Sequence, residues 1–149
     1  MVTRTKTVYN IKNFPDIKSR LFAWSAQFSP VAWLDSNDYP HHHNAYDAIL
    51  AVGMHHQAQW LNSYNELQNA VGDDWLFGFF SYEFSNAWEQ IVPINPAYIS
   101  VPKLQFFNPE KIWLLQGDTL TALYSSDANA DEDFAQLVST PPLDFTESK

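Results

Sequence analysis

The sequence predicts an α+β fold, in which a mixed, largely antiparallel sheet (or sheets) carries helices packed outside it. Three observations lead to this prediction. Strand-like and helix-like patterns follow one another with hairpins, and not in the repeated strand–helix–strand order of a doubly wound sheet. The segment Gln116-Gly-Asp118 lies between two apolar runs and is typical of a tight hairpin turn. The 149 residues include 6 Trp, 7 Tyr and 11 Phe, which supply enough apolar surface for a core without disulfides.

Four elements are predicted in the first third of the chain. They are a strand around Val8–Ile11, a helix from Pro15 to Phe28, and strands at residues 30–34 and 46–52. Proline and aspartate favour a first helical turn, and the apolar residues of this helix recur on one face, at Ile17, Leu21, Trp24 and Phe28. The two later strands flank a loop rich in Asn, Asp, His and Pro, and because they are consecutive we expect them to pair. Gly53 is predicted to stop the second strand.

The rest of the chain predicts helices and a series of strands. In order these are a helix over 60–71, a strand at 75–82, a short helix at 84–89, strands at 104–107, 111–115 and 119–124, and a helix at 131–138. The first of these helices has Trp60, Tyr64, Leu67 and Val71 on one face and ends at Gly72. The apolar run 75–82 is typical of a central strand buried on both faces. We expect Phe134 and Leu137 to be buried in the last helix.

Domain organisation and charge limit the classes of function. We expect one domain over residues 1–138 and a linker over residues 139–149, which contain Pro141-Pro142. With 8 Lys+Arg against 17 Asp+Glu, the formal charge is -9, so nucleic acid and anionic membranes are not expected partners. The first 12 residues lack the apolar segment of a signal peptide, and no apolar run reaches the roughly 18 residues of a membrane span. These features favour a cytoplasmic location.

The residues that carry chemistry do not form a recognisable active site. His41, His43 and His55 could offer imidazoles to a metal, but their spacing is not that of a helical zinc site. No two of the candidate acidic residues are placed as a fixed pair; these residues are Asp47, Asp73, Asp74 and Glu83. Ser36 and Ser81 lie outside any nucleophile elbow, and 4 Gly do not make a phosphate-binding loop. The sequence therefore predicts a domain without catalytic residues, metal or cofactor of its own.

Three segments, taken in order, resemble a known family. Val31-Ala-Trp-Leu-Asp-Ser36, a loop, and Ala45-Tyr-Asp-Ala-Ile-Leu-Ala51 are similar to the first signature of component I of anthranilate synthase and aminodeoxychorismate synthase (p-aminobenzoate synthase). Asp74-Trp-Leu-Phe-Gly-Phe-Phe-Ser-Tyr-Glu83 resembles the second signature. Phe106-Phe-Asn-Pro-Glu-Lys111, with the hairpin after it, resembles the third. The likeness runs from about Trp24 to Tyr124 and looks closer to the aminodeoxychorismate branch.

The resemblance implies that this chain is one half of a two-domain αββα-type fold. In that family the larger C-terminal domain binds chorismate and holds the Mg²⁺ and the catalytic residues. It aminates chorismate with ammonia from a glutamine amidotransferase subunit, and the aminodeoxychorismate branch feeds p-aminobenzoate and folate synthesis. The chain is then the non-catalytic, structural or regulatory N-terminal domain of an enzyme whose chemistry lies in a domain it lacks.

The resemblance also implies part of a tryptophan pocket. Carried over residue by residue, its members are Leu34, Asp35, Ser36, His43, Asn44 and Tyr46. The residue types suit such a ligand, because a carboxylate and a hydroxyl can bind an ammonium and apolar or aromatic walls can hold an indole.

Other hypotheses stay open at this point. The chain could belong to the anthranilate branch, be a stand-alone aromatic amino-acid-binding module, or be a small metal-dependent hydrolase that uses His41, His43, His55 and a carboxylate. If the leading hypothesis is correct, apolar surface meant for the absent domain is exposed. Such a patch drives association, so we expect a homodimer through that face.

Overall fold

A computed structural model of the protein describes residues 3–37, 46–54, 60–70, 72, 74–80, 104–125 and 128–139. These residues form a mixed α/β structure with antiparallel strand pairing and three helices. The chain divides into two compact units. The inserted unit comprises residues 56–108, and the sheet unit comprises residues 2–55 and 109–149.

Ten elements are described. In chain order they are β1 (Thr5–Asn10), α1 (Ile17–Ser25), β2 (Val31–Asp35), β3 (Ala48–Met54), α2 (Tyr64–Ala70), β4 (Phe77–Phe80), β5 (Leu104–Phe107), β6 (Pro109–Gln116), β7 (Thr119–Tyr124) and α3 (Ala130–Ser139). The sheet unit holds five antiparallel strands in the order β1-β7-β6-β3-β2. The central strands β3 and β6 have nearly continuous apolar sequences, as expected for strands that are covered on both faces.

Helices α1 and α3 pack on one face of this sheet, here called the helix face. Residues Leu50, Trp113 and Tyr124 alternate with outward-facing neighbours along their strands and form one core with the helices. The helices contribute Ile17, Leu21, Trp24 and Leu137 to that core. Each of these side chains is at most 4% exposed. The buried positions predicted at Ile17, Leu21, Trp24 and Leu137 are therefore confirmed.

The opposite surface, called here the second face, is also apolar. Strand alternation directs Leu34, Ile49, Ile112, Leu114 and Leu123 to it. Ile112 and Leu114 are buried, whereas the edge strands β1 and β2 present Val8 at 56% exposure and Leu34 at 53%.

In the inserted unit, β4 and β5 pair antiparallel, and Leu61 bridges to Phe106. Ser63 caps α2, since Glu66 N donates to Ser63 Oγ at 3.2 Å. Gly78 permits the close approach of β4 to β5, because a Cβ there would lie 2.0 Å from the carbonyl oxygen of Gln105.

Most predicted strands are confirmed, including the pairing of β2 with β3 and the hairpin between β6 and β7 at Gly117-Asp118. The first strand ends before Ile11, and Phe28 lies beyond the end of α1, with its ring 4.6 Å from that of Trp24. The helix predicted over 131–138 is α3, and Phe134 is only partly buried. The predicted helix 84–89 and all but the first residue of the linker 139–149 lie outside the described residues.

Three expectations are wrong. Gly53 does not stop the strand, because it adopts φ 74° within β3, which continues to Met54. The described part of the segment 75–82, residues 75–80, does not form a central strand. Its strand, β4, has only Phe77 buried and pairs only with β5 among the described strands. Tyr64 does not face a core: it is 44% exposed at the start of α2.

No helix among the described residues is long and apolar enough to cross a membrane.

Candidate functional site

The structure describes four of the six residues that the resemblance implies for a tryptophan pocket, and they lie at two adjacent strand ends. Asp35 at the end of β2 pairs with Ala48 at the start of β3. One residue further on, Ser36 N donates a hydrogen bond of 3.0 Å to the carbonyl oxygen of Asp47. Leu34, Asp35 and Ser36 therefore lie beside the segment that contains Tyr46, which is 40% exposed. His43 and Asn44, the other two predicted members, lie outside the described residues.

Strand alternation separates Leu34 from Asp35. Leu34 points to the second face, whereas Asp35 points to the helix face, where it meets α1. Trp33 is also on the helix face, with its ring 5.9 Å from that of Phe22. A ligand that touches both Leu34 and Asp35 must therefore lie across the end of the strand, next to Ser36.

The Asp35 carboxylate has partners within the chain. Its Oδ1 accepts a hydrogen bond from Lys18 Nζ at 2.9 Å and another from Asn37 N at 2.7 Å. Burial raises the pKa of Asp35, but the hydrogen bonds from Lys18, Asn37 and Trp33 and the Lys18 charge outweigh it, and the pKa lies below the ordinary 3.8. The group is therefore a stable anion at neutral pH.

A cleft of about 510 Å³ is lined by Lys18, the partner of Asp35, but by none of the described residues of the predicted pocket. Its lining is mixed and includes the apolar residues Ile11, Phe14 and Leu115 and charged residues of both signs, among them Lys12, Asp16, Lys18 and Asp118. Asp47 also lines it and holds the β6–β7 turn, because Asp47 Oδ2 accepts a hydrogen bond of 2.7 Å from Gly117 N.

A second polar cluster on the helix face was not predicted from the sequence. Lys111 Nζ and Tyr124 Oη both donate to Asp133 Oδ2 at 2.7 Å. Tyr9 Oη donates to Asp131 Oδ1 at 2.5 Å. The available signal was Lys111, a cation in a strand register that places it among aromatic core residues. These hydrogen bonds link the first turn of α3 to β1, β6 and β7.

The two phenols of this cluster are held in their neutral form. Burial is the largest cause that raises the pKa of Tyr124 well above its ordinary value, followed by the hydrogen bond to Asp133. Burial and the Asp131 carboxylate act in the same direction on the pKa of Tyr9. Both residues therefore act as hydrogen-bond donors at neutral pH, which is a structural role.

These shifts predict a loss of stability in alkali. The folded-state pKa of Tyr124 is above the unfolded value of 10.0, so its contribution is complete below pH 10 and declines as the pH rises toward the folded pKa. We expect the free energy of unfolding to fall by about 1.4 kcal/mol per pH unit above pH 10 from this residue. Urea unfolding at pH 8, 10 and 11 measures it. Tyr124→Phe should flatten the slope, and an equal slope in this variant would contradict the role given to Tyr124.

Among the residues that the structure describes, no three His, Asp or Glu side chains are grouped as metal ligands would be. The histidines of the metal hypothesis, His41, His43 and His55, lie outside that part of the chain, as do Asp73, Ser81 and Glu83. Asp47 and Asp74 are described, the first in the sheet unit and the second in the inserted unit.

The chain matches no protein-family profile, no curated protein and no solved structure.

Proposed function

We propose that this chain is the N-terminal, non-catalytic domain of an aminodeoxychorismate synthase component I. In the complete enzyme, chorismate is aminated for p-aminobenzoate and folate synthesis. The chemistry and the Mg²⁺ belong to a C-terminal chorismate-binding domain, and ammonia comes from a glutamine amidotransferase subunit. No residue of this chain is assigned a catalytic or metal-binding role.

One observation carries the proposal most directly. The two arms of the first signature, Val31–Ser36 and Ala45–Ala51, are separated by a loop in sequence and are adjacent antiparallel strands in space. The hydrogen bond between Ser36 N and the Asp47 carbonyl extends this pairing to the predicted pocket. An N-terminal domain that contributes a ligand pocket at these strand ends requires this arrangement.

The second face supports a scaffold role. Helices α1 and α3 both lie on the helix face, so one surface of the sheet is covered by helices of its own unit. The second face is buried at its centre, at Ile112 and Leu114, whereas its two edge strands, β1 and β2, largely expose Val8 and Leu34. Exposed apolar side chains favour association, and in the proposed enzyme the C-terminal domain is the partner. In its absence a second copy of the chain is the expected substitute.

The test is an amination assay with the complete reading frame that contains this chain. The product protein is incubated with chorismate, Mg²⁺ and ammonium, and then with glutamine and an amidotransferase subunit. We expect aminodeoxychorismate, detected as p-aminobenzoate after addition of a lyase, and we expect no turnover from the 149-residue chain alone.

The same assay separates the alternatives. Anthranilate, which is fluorescent, would assign the chain to the other branch of the family. Turnover of chorismate by the 149 residues unaided would contradict the proposal, as would a complete protein that cannot aminate chorismate. In the second case, calorimetry with tryptophan decides whether the chain is instead an amino-acid-binding module.

A further inference from the structure

Strand β2 is one edge of the five-stranded sheet, and among the described strands only β3 pairs with it. At its end, Ser36 N donates a hydrogen bond of 3.0 Å to the carbonyl oxygen of Asp47, so residue 36 directs its backbone groups toward β3. In an antiparallel pair such residues alternate with residues whose N–H and C=O point away from the neighbouring strand. The backbone groups of Val31, Trp33 and Asp35 therefore point outward, along the outer edge of β2.

Exposed apolar side chains of the sheet unit are concentrated at this edge. Val31 and Leu34 in β2, Phe22 in α1 and Tyr46 beside the end of β2 are each at least 40% exposed. The Phe22 ring lies 5.9 Å from that of Trp33, which places it over the same strand. Outward backbone groups with apolar side chains around them are what a further strand needs in order to pair.

The other edge of the sheet, β1, differs in charge. It carries Lys6 on the same side of the strand as Val8, and a lysine on an edge strand opposes pairing with another strand. The one charged residue of β2 is Asp35, and Lys18 Nζ lies 2.9 Å from its carboxylate. The edge at β2 therefore has apolar surface and a matched charge where β1 has an exposed cation.

We propose that the outer edge of β2 is a contact through which two copies of this chain associate, with their β2 strands antiparallel about a twofold axis. In the register centred on Trp33, the outward backbone groups of Val31 pair with those of the partner's Asp35. Leu34 then lies opposite the partner's Ala32 on the second face, where the two side chains cover each other. No two carboxylates face each other in this register.

The symmetry of the contact favours a second copy as the occupant. The outward residues of β2 are placed evenly about Trp33, so the strand is its own complement, and a twofold pair closes after two chains. Pairing of β2 with the partner's β1 would bring Lys6 to the contact and would continue into an open filament. The contact is independent of the proposed function, because it uses the edge of the sheet and leaves the second face uncovered.

Sedimentation equilibrium of the 149-residue chain, from micromolar to millimolar concentration, tests the contact. Leu34→Lys adds a charge at the edge, and Val31→Pro removes an outward N–H at the first residue of β2, where proline is tolerated. Val8→Lys is the matched control, since Val8 is as exposed as Leu34 and lies on the same face, but in β1. We expect the natural chain and Val8→Lys to dimerise equally, and Leu34→Lys and Val31→Pro to weaken the dimer at least about tenfold.

Amide hydrogen exchange is the second measurement. The outward N–H groups of Trp33 and Asp35 should exchange more slowly in the dimer than in the monomer. Ile11 N donates to the Asp118 carbonyl at 2.8 Å, so by alternation the N–H of Val8 points away from β7. Its exchange should be the same in both states.

Three results would overturn the inference. The first is a natural chain that stays monomeric at every concentration. The second is a dimer that Val8→Lys weakens as much as Leu34→Lys, which would place the contact on the second face. The third is a dimer in which exchange at Trp33 and Asp35 is as fast as in the monomer. Failure of the proposed function is seen separately, in the chorismate assay.

Discussion

Asp133→Ala is expected to lower the free energy of unfolding by about 3 kcal/mol, the lower end of the cost of breaking a buried ion pair. Asp133 accepts from both Lys111 Nζ and Tyr124 Oη, and the side chains of the ion pair are only 12% and 18% exposed. Without the carboxylate, Lys111 keeps its charge among the rings of Phe28, Tyr124 and Trp24, whose centroids lie 5.0, 5.4 and 5.9 Å from Nζ. Cation–π attraction to these rings offsets part of the lost stabilisation. The remaining cost is that of keeping the Lys111 ammonium buried without a counter-charge.

Glu132→Ala is the matched control, since this neighbour in the first turn of α3 is exposed. It should change stability by less than about 0.5 kcal/mol. Urea unfolding followed by tryptophan fluorescence measures both variants. The double variant Lys111→Met/Asp133→Leu should recover most of the loss, because apolar replacement of both partners removes the unpaired charge. An Asp133→Ala variant as stable as the Glu132→Ala variant would show that α3 is not held by this cluster.

Much of the fold could be predicted because its signals are local. The apolar spacing of Ile17, Leu21 and Trp24 depends on the helix alone, and it correctly identified the buried face of α1. The turn at Gly117 was equally visible, because a positive φ, here 58°, favours glycine. Such local signals give the element type and the side that is buried.

The errors come from features that depend on tertiary structure. Glycine usually interrupts a strand, which predicts a strand end at Gly53, yet Gly53 N donates to the carbonyl oxygen of Pro30 at 2.9 Å and the pairing continues. The hydrophobicity of the aromatic run in β4 predicts a central strand. Among the described strands β4 pairs only with β5, and Phe79 is 41% exposed. The hydrophobic periodicity of a strand does not show how many strands will pair with it.

The candidate site also combines one feature that the sequence predicts with others that depend on tertiary structure. The proximity of the β2 and β3 ends followed from the expectation that consecutive strands pair. The Lys18–Asp35 ion pair did not, because it joins a helix to a strand 17 residues later and depends on how α1 lies on the sheet. The Lys111–Asp133 pair spans 22 residues and has the same origin. Charged side chains are common on surfaces, so their positions in the sequence do not show which of them form such pairs.

Leu50→Ala is expected to cost about 2–5 kcal/mol of unfolding free energy, the other large effect in this structure. Leu50 is fully buried in β3, and its cross-strand neighbours on the helix face are Trp33 in β2 and Trp113 in β6. Its removal leaves a cavity between two indole-bearing strands that are fixed by backbone hydrogen bonds, so the site cannot collapse easily. Urea unfolding measures the loss, and an unchanged slope with denaturant would show that the substitution lowers stability without changing the surface exposed on unfolding.

Leu34→Ala is the matched control and also tests the assignment of the two faces. Leu34 lies in the adjoining strand, next to Trp33, but points to the second face at 53% exposure. In the chain by itself the substitution should change stability by less than about 0.5 kcal/mol, because little apolar surface is lost from the core. A loss comparable to that of Leu50→Ala would mean that the second face is packed at its edge and not available to a partner. A loss that occurs only in the complete reading frame is what burial of Leu34 by a further domain requires, since the same side chain then leaves water.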